Sequence, residues 1–210
     1  ASQWITYQGK TLKCNAPYYW KVKIDTNKGA TNWSAPACWT TGLFNEADWQ
    51  GQWIGLDRAA PGDSETQWSR LAARYLRKEF AVKKDVKRAT VHIAGMGLYE
   101  LFINGQRIGN QVLAPAPTDY RKTILYNTYD VTSLLQTENA IGVTLGNGRF
   151  YTMRQNYKPY KIPTFGYPKL RLNLIVEYAD GSKETIATNT SWKLTTEGPI
   201  RSNNEYDGEE

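Results

Sequence analysis

The sequence has few of the residues that build metal sites and nucleophilic catalytic sites. Its 210 residues include two cysteines and one histidine. Two cysteines do not make a disulfide framework. A hairpin turning near residues 27–33 would set Cys38 opposite roughly residue 23, well away from Cys14, so we expect two free thiols. One histidine leaves little for a zinc site or a Ser-His-Asp triad, and His92, within a predicted strand, is expected to be structural.

Long apolar runs and clustered positive charge are also missing. No apolar run approaches the roughly 18 residues that a membrane span needs, so we expect no membrane partner. The first ten residues, ASQWITYQGK, lack the charged and then apolar pattern of a signal peptide. The net charge of +6 arises from 26 Lys and Arg against 20 Asp and Glu. Because these positive residues are scattered rather than gathered in a stripe, we expect no nucleic-acid partner.

What the sequence does contain is a period-two alternation of apolar and polar residues. It runs through residues 18–24, where Trp20 falls on the predicted core face, and through 141–145 and 170–177. Asn-Gly and Asp-Gly pairs separate many of these runs and predict turns. Only residues 129–136 can form even a short helix, with Asp130 or Thr132 as its N-cap. Many short strands with one helical turn predict an all-β sandwich.

The spacing of the strands predicts two structural parts. Residues 1–45 hold two or three strands, too few to bury a sandwich core alone. Residues 46–71 form a linker and loop, in which Trp49 and Trp53 are expected to pack at the joint between the two domains. Residues 72–199 carry the strands of the larger sandwich, and residues 200–210 lead out of it.

Several motifs in fixed order resemble the N-terminal β-sandwich region of bacterial α-L-rhamnosidases. They are the Tyr99-Glu100 strand with its Asn104-Gly105 turn, and the segments Thr118–Arg121, Tyr129–Thr132 and Leu145–Gly148. Residues 18–44 are similar to the last strands of a fibronectin type III or immunoglobulin-like domain. The resemblance implies an all-β chain, in which a jelly-roll-like sandwich follows a partial fibronectin III/immunoglobulin-like segment.

The resemblance also implies a function. Such enzymes hydrolyse terminal α-L-rhamnose with inversion, using carboxylates in a downstream α/α-barrel. This segment is therefore expected to be inactive alone, bracing the barrel of the same polypeptide and shaping substrate access. The parent glycoside hydrolase is expected in the periplasm or outside the cell. Two alternatives remain open: an autonomous carbohydrate-binding module, which would bind rhamnose-containing saccharides, and a protein-interaction sandwich.

Seven residues are candidates for carbohydrate binding or domain docking: Tyr99, Glu100, Asp119, Tyr120, Asn147, Arg149 and Tyr151. No catalytic residue is predicted, because the carboxylates Glu100, Asp119, Asp130 and Glu138 have structural interpretations. No cofactor other than calcium is expected. Calcium stays an option because related domains in this family bind rhamnose with calcium, but no residues are predicted as its ligands.

Two departures from the family pattern weaken the sugar-binding interpretation. Pro115-Ala116-Pro117 and Asn147-Gly148-Arg149 each lack a tryptophan that many relatives have. Tyr157, Tyr160 and Tyr167, together with Tyr151, could replace these rings. The long aromatic loop that carries them favours docking, because tyrosine and arginine are enriched in interface cores.

Overall fold

The structure is a computed structural model that describes residues 6–58, 71–151, 165–204 and 208–209. The chain divides into two compact units, Ala1–Trp49 and Gln50–Glu210. The elements of the first unit are β1 (Pro17–Trp20), β2 (Asp25–Thr26), β3 (Gly29–Ala30), β4 (Ala37–Thr40) and a 3-10 turn (Glu46–Asp48). β1 pairs with β4 and β2 pairs with β3, both antiparallel.

The register of the first unit corrects the predicted position of Cys38. This residue lies opposite Tyr19 rather than near residue 23. The chain turns at residues 27–28, between β2 and β3, which is the early end of the predicted span. Neither Cys14 nor Cys38 forms a disulfide in the described structure.

The apolar face of β1 is exposed rather than buried. Trp20 is 53% exposed and Ile24 is 56% exposed, so the prediction that Trp20 belongs to a core is wrong. Period-two alternation identifies which side chains share a face, but it does not supply the layer that covers them. Within residues 6–49 nothing covers this face.

The described residues of the second unit contain twelve further strands. In chain order they are β5 (Ile54–Gly55), β6 (Arg74–Ala81), β7 (Val86–Met96), β8 (Leu98–Ile103), β9 (Gln106–Ile108), β10 (Tyr126–Asp130), β11 (Glu138–Gly146), β12 (Lys169–Tyr178), β13 (Lys183–Ala187), β14 (Lys193–Thr195), β15 (Asn203–Asn204) and β16 (Gly208–Glu209). One sheet has the order β10-β7-β12-β13, with β5 also pairing with β12. The second sheet has the order β14-β6-β11-β8-β9, and β15 pairs with β16. No helix in the described ranges is long and apolar enough to cross a membrane.

A single hydrophobic core joins the two five-stranded sheets. Its most deeply buried side chains alternate along the strands and include Val91, Ile93, Leu101, Ile103, Ile141, Val143, Leu145, Leu170, Leu172, Leu174 and Val176. Burying each such side chain contributes about 1.5–3 kcal/mol. The pattern confirms the predicted alternation in β11 and β12, and with it the all-β sandwich.

Two short connections were predicted from local sequence. Asn104 and Gly105, with φ of 51° and 81°, form the two-residue turn between β8 and β9, as predicted. The predicted short helix is a 3-10 turn, Thr132–Leu134, whose N-cap position is Val131. This position corrects the expectation of Asp130 or Thr132. The Asp130 carboxylate instead accepts a 2.9 Å hydrogen bond from the Thr132 amide, because a short acidic side chain can bond to the backbone two residues ahead.

The predicted linker of residues 46–71 contains a strand of the sandwich. β5 pairs antiparallel with the first residues of β12, so that Gly55 lies opposite Lys169 and Ile54 lies opposite Leu170. On its other side, β12 pairs with β7, where Met96 lies opposite Lys169. The start of β12 is therefore held between two strands that are far apart in sequence.

Buried hydrogen bonds hold the residues before β5 against the same sheet. The Gly51 amide donates to the Asn173 side-chain oxygen at 2.8 Å, and its carbonyl accepts from Arg171 Nε at 2.6 Å. The Gln52 amide donates to the Thr188 carbonyl at 2.7 Å. Asn173 and Thr188 are both fully buried, so these bonds satisfy polar groups that would otherwise be costly to bury.

Candidate functional site

The strand pairing at the start of β12 assembles a cleft. Trp53 and Asp57 flank β5, Met96 ends β7, and Tyr167 leads into β12. Because β5, β12 and β7 are hydrogen-bonded neighbours, side chains more than 100 positions apart in sequence are brought together. The backbone amide of Phe165 donates to the Phe150 carbonyl at 2.9 Å, which adds the segment after β11.

We call this feature the aromatic cleft. It has a volume of about 410 Å³ and is lined by Trp53, Asp57, Met96, Phe150, Phe165, Gly166, Tyr167 and Lys169. Phe150 is 7% exposed, whereas Trp53, Phe165 and Tyr167 are half-buried. The cleft lining is mainly aromatic, with Asp57 and Lys169 as the charged groups.

Packed aromatic rings contact the residues that line the cleft. The Tyr120 ring meets Phe150 and Phe165 edge-on, with centroid distances of 5.3 Å and 5.4 Å. Phe150 and Phe165 stack at 5.9 Å, and Tyr151 stacks on Tyr167 at 5.7 Å. Such ring pairs contribute about 0.5–1.5 kcal/mol beyond their buried area, so these contacts stabilise the cleft wall.

Charged groups line the cleft or lie next to it. Lys169 Nζ lies 3.0 Å from Asp57 Oδ2, with the side chains 32% and 67% exposed. The Arg171 guanidinium lies over the Trp53 ring at 6.0 Å from its centroid. The cleft thus combines aromatic faces with a hydrogen-bond acceptor and a donor at its edge. In the described part of the chain, no three His, Cys, Asp or Glu side chains gather to hold a metal ion.

Comparison with known proteins places the chain in a family. The α-L-rhamnosidase N-terminal domain model matches residues 84–210, which is more than half of the chain. The chain belongs to this family. The model of the Rha78A-like N-terminal immunoglobulin domain matches residues 1–45. Both matches confirm the resemblance predicted from the sequence motifs.

Individual α-L-rhamnosidases match over nearly the whole chain. One from Formosa agariphila is 36% identical over 228 residues, covering 99% of this chain and 24% of the relative. The solved α-L-rhamnosidase from Dictyoglumus thermophilum is 41% identical with a TM-score of 0.83, covering 98% of this chain and 23% of that one. The Aspergillus terreus structure is 36% identical with a TM-score of 0.86, covering 96% and 23%. This chain therefore spans about a quarter of the length of these rhamnosidases.

Of the seven residues predicted for carbohydrate binding or domain docking, two lie at the cleft. Tyr120 and Tyr151 pack against rings that line it. Arg149 is exposed. Asn147 is 2% exposed and its side-chain amide donates to the Asn203 carbonyl at 2.6 Å, so it joins the end of β11 to the chain near β15.

The other three predicted residues are engaged locally. Tyr99 is buried, and its hydroxyl accepts a hydrogen bond from the Asn127 side chain at 2.7 Å; burial raises the pKa of this tyrosine well above its usual range. Glu100 is exposed and pairs with Arg107 at 2.9 Å. Asp119 pairs with Arg121 at 2.9 Å, and this hydrogen bond lowers the pKa of the Asp119 carboxyl.

The long aromatic loop of residues 149–169, which the sequence marks for docking, supplies five of the eight lining residues: Phe150, Phe165, Gly166, Tyr167 and Lys169. The other three carry no sequence signal of a site, since Trp53 is expected from sequence to pack a joint, and Asp57 and Met96 belong to no motif. Their proximity depends on which strands flank β12, and no local pattern specifies that pairing. Tyr167, a predicted replacement ring, does line the cleft. Tyr157 and Tyr160, predicted with it, lie outside the described residues.

The single histidine lies away from the cleft and is fully buried. His92 Nδ1 is 3.0 Å from the Thr128 hydroxyl, and the His92 ring meets the Tyr126 ring edge-on at 6.0 Å. Burial, followed by the nearby Arg88 charge, lowers the pKa of His92 from 6.5 to about 4. The side chain is therefore neutral in the folded protein at pH 7, in keeping with a structural role.

We expect the stability of the sandwich to fall between pH 6.5 and pH 4 because of His92. Its folded pKa lies below its unfolded pKa, so the unfolded chain binds more protons throughout that window. The loss amounts to about 2 kcal/mol of unfolding free energy at pH 5. Urea unfolding at pH 7 and at pH 5 measures this loss of unfolding free energy.

The His92→Gln variant provides the control for this pH effect. It retains a polar group near Thr128 and cannot titrate, so its stability is expected to change much less between the two pH values. Lowered carboxyl pKa values, such as that of Asp119, act in the same direction but at lower pH. An equal pH dependence in both proteins would rule out His92 as its source.

Proposed function

We propose that this region is a non-catalytic accessory segment of an α-L-rhamnosidase. It braces the catalytic domain of the same polypeptide, whose substrate is a glycoside with terminal α-L-rhamnose. The observation that carries the proposal is the extent of the match. A relative called α-L-rhamnosidase aligns with 99% of this chain, yet the chain covers only 24% of that relative's length.

The state of the carboxylates supports the non-catalytic part of the proposal. An inverting glycosidase needs a general acid with a raised pKa and a separate general base across the scissile bond. Glu100 and Asp119 are each held by an arginine close in sequence, and the pKa of Asp119 is lowered rather than raised. Asp130 accepts hydrogen bonds from Thr132. These local contacts suit structural roles for the three carboxylates.

An exposed apolar loop after β9 supports the bracing role. Val112 and Leu113 are 81% and 69% exposed, and Leu113 has a φ of 59°. A bulky residue in the left-handed region is uncommon and carries a conformational cost. Two adjacent apolar side chains held in solvent in this way are suited to burial against another domain.

The proposal predicts that this chain alone does not hydrolyse an aryl α-L-rhamnoside, whereas the parent polypeptide does. It also predicts that a Val112→Ser, Leu113→Asn double variant lowers the Tm of the parent but not of this chain. Substitution of largely exposed side chains changes the stability of an isolated domain by no more than about 0.5 kcal/mol. Asparagine is chosen at position 113 because it tolerates a positive φ.

Paired thermal melts and initial rates of the parent and the 210-residue chain test both statements. Hydrolysis by the isolated chain would overturn the non-catalytic assignment. An unchanged Tm of the parent would show that the loop after β9 does not brace the catalytic domain. The alternative of a carbohydrate-binding module has its own supporting observation, the aromatic cleft.

A further inference from the structure

The loop after β9, residues 109–114, is anchored to the sandwich near both of its ends. We infer that Arg107 and Gly109 position Val112 and Leu113 as an ordered apolar projection, which docks into an apolar depression on the domain that follows in the same polypeptide. The existence of that domain rests on the proposed function. The order of the loop, its place on the sandwich and the chemistry of its partner follow from the residues of the loop and its neighbours.

The Arg107 guanidinium, in β9, binds the first half of the loop. Its Nη1 donates to the Gly109 carbonyl at 3.3 Å, and its Nη2 donates to the Gln111 carbonyl at 2.8 Å. Its Nε donates to the Glu100 carboxylate, in β8, at 2.9 Å. Because the guanidinium is planar and its donors have fixed directions, one side chain ties two loop carbonyls to a strand of the sandwich.

Close packing around Gly109 restricts the same half of the loop. Gly109 has a φ of 79°, which glycine adopts without strain. A Cβ at this position would lie against Gln111 Oε1 and 2.7 Å from Tyr129 Cε1. The Tyr129 hydroxyl donates to Gln111 Oε1 at 3.2 Å. The start of the loop therefore has no room for a side chain at position 109.

The far end of the loop is fixed to β8. The Tyr99 amide donates to the Ala114 carbonyl at 2.7 Å, and these residues form an antiparallel bridge. Ala114 is 7% exposed, whereas Val112 and Leu113 just before it are largely exposed. The loop is thus ordered when the sandwich folds rather than when a partner arrives, which reduces the entropic cost of docking.

The bridge to Tyr99 places the loop at the same end of the sandwich as the last residues of the chain. Tyr99 follows Leu98, which lies opposite Gly146 at the end of β11. The amide of the next residue, Asn147, donates to Asn203 Oδ1 at 2.6 Å. A domain joined after this segment begins near the loop and meets it at a high effective concentration. We therefore assign the loop to that domain rather than to a second copy of the chain.

The composition of the loop indicates the chemistry of its partner. Residues 108–118 contain no charged side chain, and Arg107 beside them is paired with Glu100. Aliphatic side chains gain from burial against apolar surface, whereas a charged group facing them would lose its hydration without a counter-charge. The partner surface is therefore apolar, and docking is expected to depend little on salt concentration.

Arg107→Lys tests the inference in the 210-residue chain and in the parent. Lysine keeps the positive charge but lacks the planar group that binds two carbonyls. In the 210-residue chain, ¹⁵N relaxation is expected to give order parameters of about 0.8 for residues 110–113, falling below about 0.6 in the variant. The Tm of this chain is expected to change by less than about 2 °C. In the parent, the variant is expected to lower Tm by about 2–4 °C, equally at ionic strengths of about 0.05 M and 0.5 M.

A double-mutant cycle in the parent separates positioning of the loop from general stabilisation. The Val112→Ser, Leu113→Asn double variant removes the apolar side chains that dock. Adding Arg107→Lys to it is therefore expected to cause no further fall in Tm, since residues that act through one contact are not additive. Gly109→Ala is expected to reproduce both effects of Arg107→Lys, lower order parameters in the 210-residue chain and a lower Tm of the parent.

Two substitutions serve as matched controls. Glu100→Gln removes the ion pair but leaves both hydrogen bonds from Arg107 to the loop carbonyls. Arg77→Lys makes the same change as Arg107→Lys at an exposed arginine in β6, which pairs with Glu79 rather than with a loop. Both controls are expected to leave the order parameters of the loop and the Tm of the parent unchanged.

Several results would overturn the inference. Unchanged order parameters in Arg107→Lys, an unchanged Tm of the parent carrying it, or an additive fall in the cycle would exclude positioning by Arg107 while leaving the bracing role intact. An unchanged Tm of the parent double variant would exclude docking by the loop, and with it both proposals. An effect lost at high salt would exclude an apolar partner. Self-association of the 210-residue chain that the double variant abolishes would assign the loop to a second copy instead.

Discussion

Gly51→Ala is expected to destabilise the sandwich by about 3 kcal/mol, because a methyl group cannot fit there. A Cβ at position 51 would lie 2.5 Å from the Leu172 carbonyl oxygen, 2.7 Å from Thr188 Oγ1 and 3.1 Å from Asn173 Oδ1. The carbonyl belongs to the centre of β12 and cannot move without disturbing the sheet. The alternative to this clash is detachment of the segment before β5, which breaks its buried hydrogen bonds.

Displacement of the β12 carbonyl and detachment of the segment before β5 both leave polar groups of the sheet without hydrogen-bond partners. Asn173 and Thr188 are fully buried, and each loses a hydrogen bond when the segment moves away. Leaving a buried polar group unsatisfied costs about 1–3 kcal/mol. For a unit of this size, the expected loss corresponds to a fall in Tm of roughly 6–12 °C.

Gly142→Ala is the matched control for Gly51→Ala. Gly142 lies within β11, and a Cβ there would meet only the Phe102 Cβ, at 3.8 Å. That distance is ordinary contact, so the substitution is expected to be neutral or slightly stabilising. Urea unfolding at pH 7 measures the unfolding free energies of both variants and of the unmodified chain. Equal stabilities would show that the close approach at Gly51 does not restrain this segment.

The regular part of the sandwich could be predicted from sequence because its signals are local. Alternation in β11 and β12 follows directly from which side chains face the core. The turn at Asn104 and Gly105 follows from two residues that tolerate positive φ. The same reasoning failed at Trp20, where alternation identified a face but not whether another layer covers it.

The candidate site could be predicted only in part because it is a long-range assembly. Tyr120 belongs to the Thr118–Arg121 segment and Tyr151 to the long aromatic loop, both of which the sequence marks, and both pack at the cleft. Trp53 and Lys169 meet because β5 and β7 flank β12, and no spacing in the sequence encodes that order. Asp119, a candidate site residue in the Thr118–Arg121 segment, forms an ion pair with Arg121, two positions along the chain.

Asn104→Ala is expected to destabilise the sandwich by about 3 kcal/mol, since Asn104 does more than form a turn. Its side-chain oxygen accepts from the Ala140 amide at 2.9 Å. Its side-chain nitrogen donates to the Leu134 carbonyl at 3.0 Å and to the Asn139 side-chain oxygen at 2.9 Å. These bonds tie the β8–β9 hairpin to the 3-10 turn and to β11, so their loss weakens three elements together.

Comparison with Asn104→Gly separates the two roles of this residue. Glycine adopts the φ of 51° without strain but makes none of the side-chain hydrogen bonds, so its expected cost is about 2 kcal/mol. Alanine loses the same bonds and also pays roughly 1 kcal/mol for the left-handed conformation. Urea unfolding of both variants measures the difference. If alanine and glycine are equally destabilising, backbone conformation is not a determinant at this position; if neither is destabilising, the side-chain network does not hold the hairpin to β11.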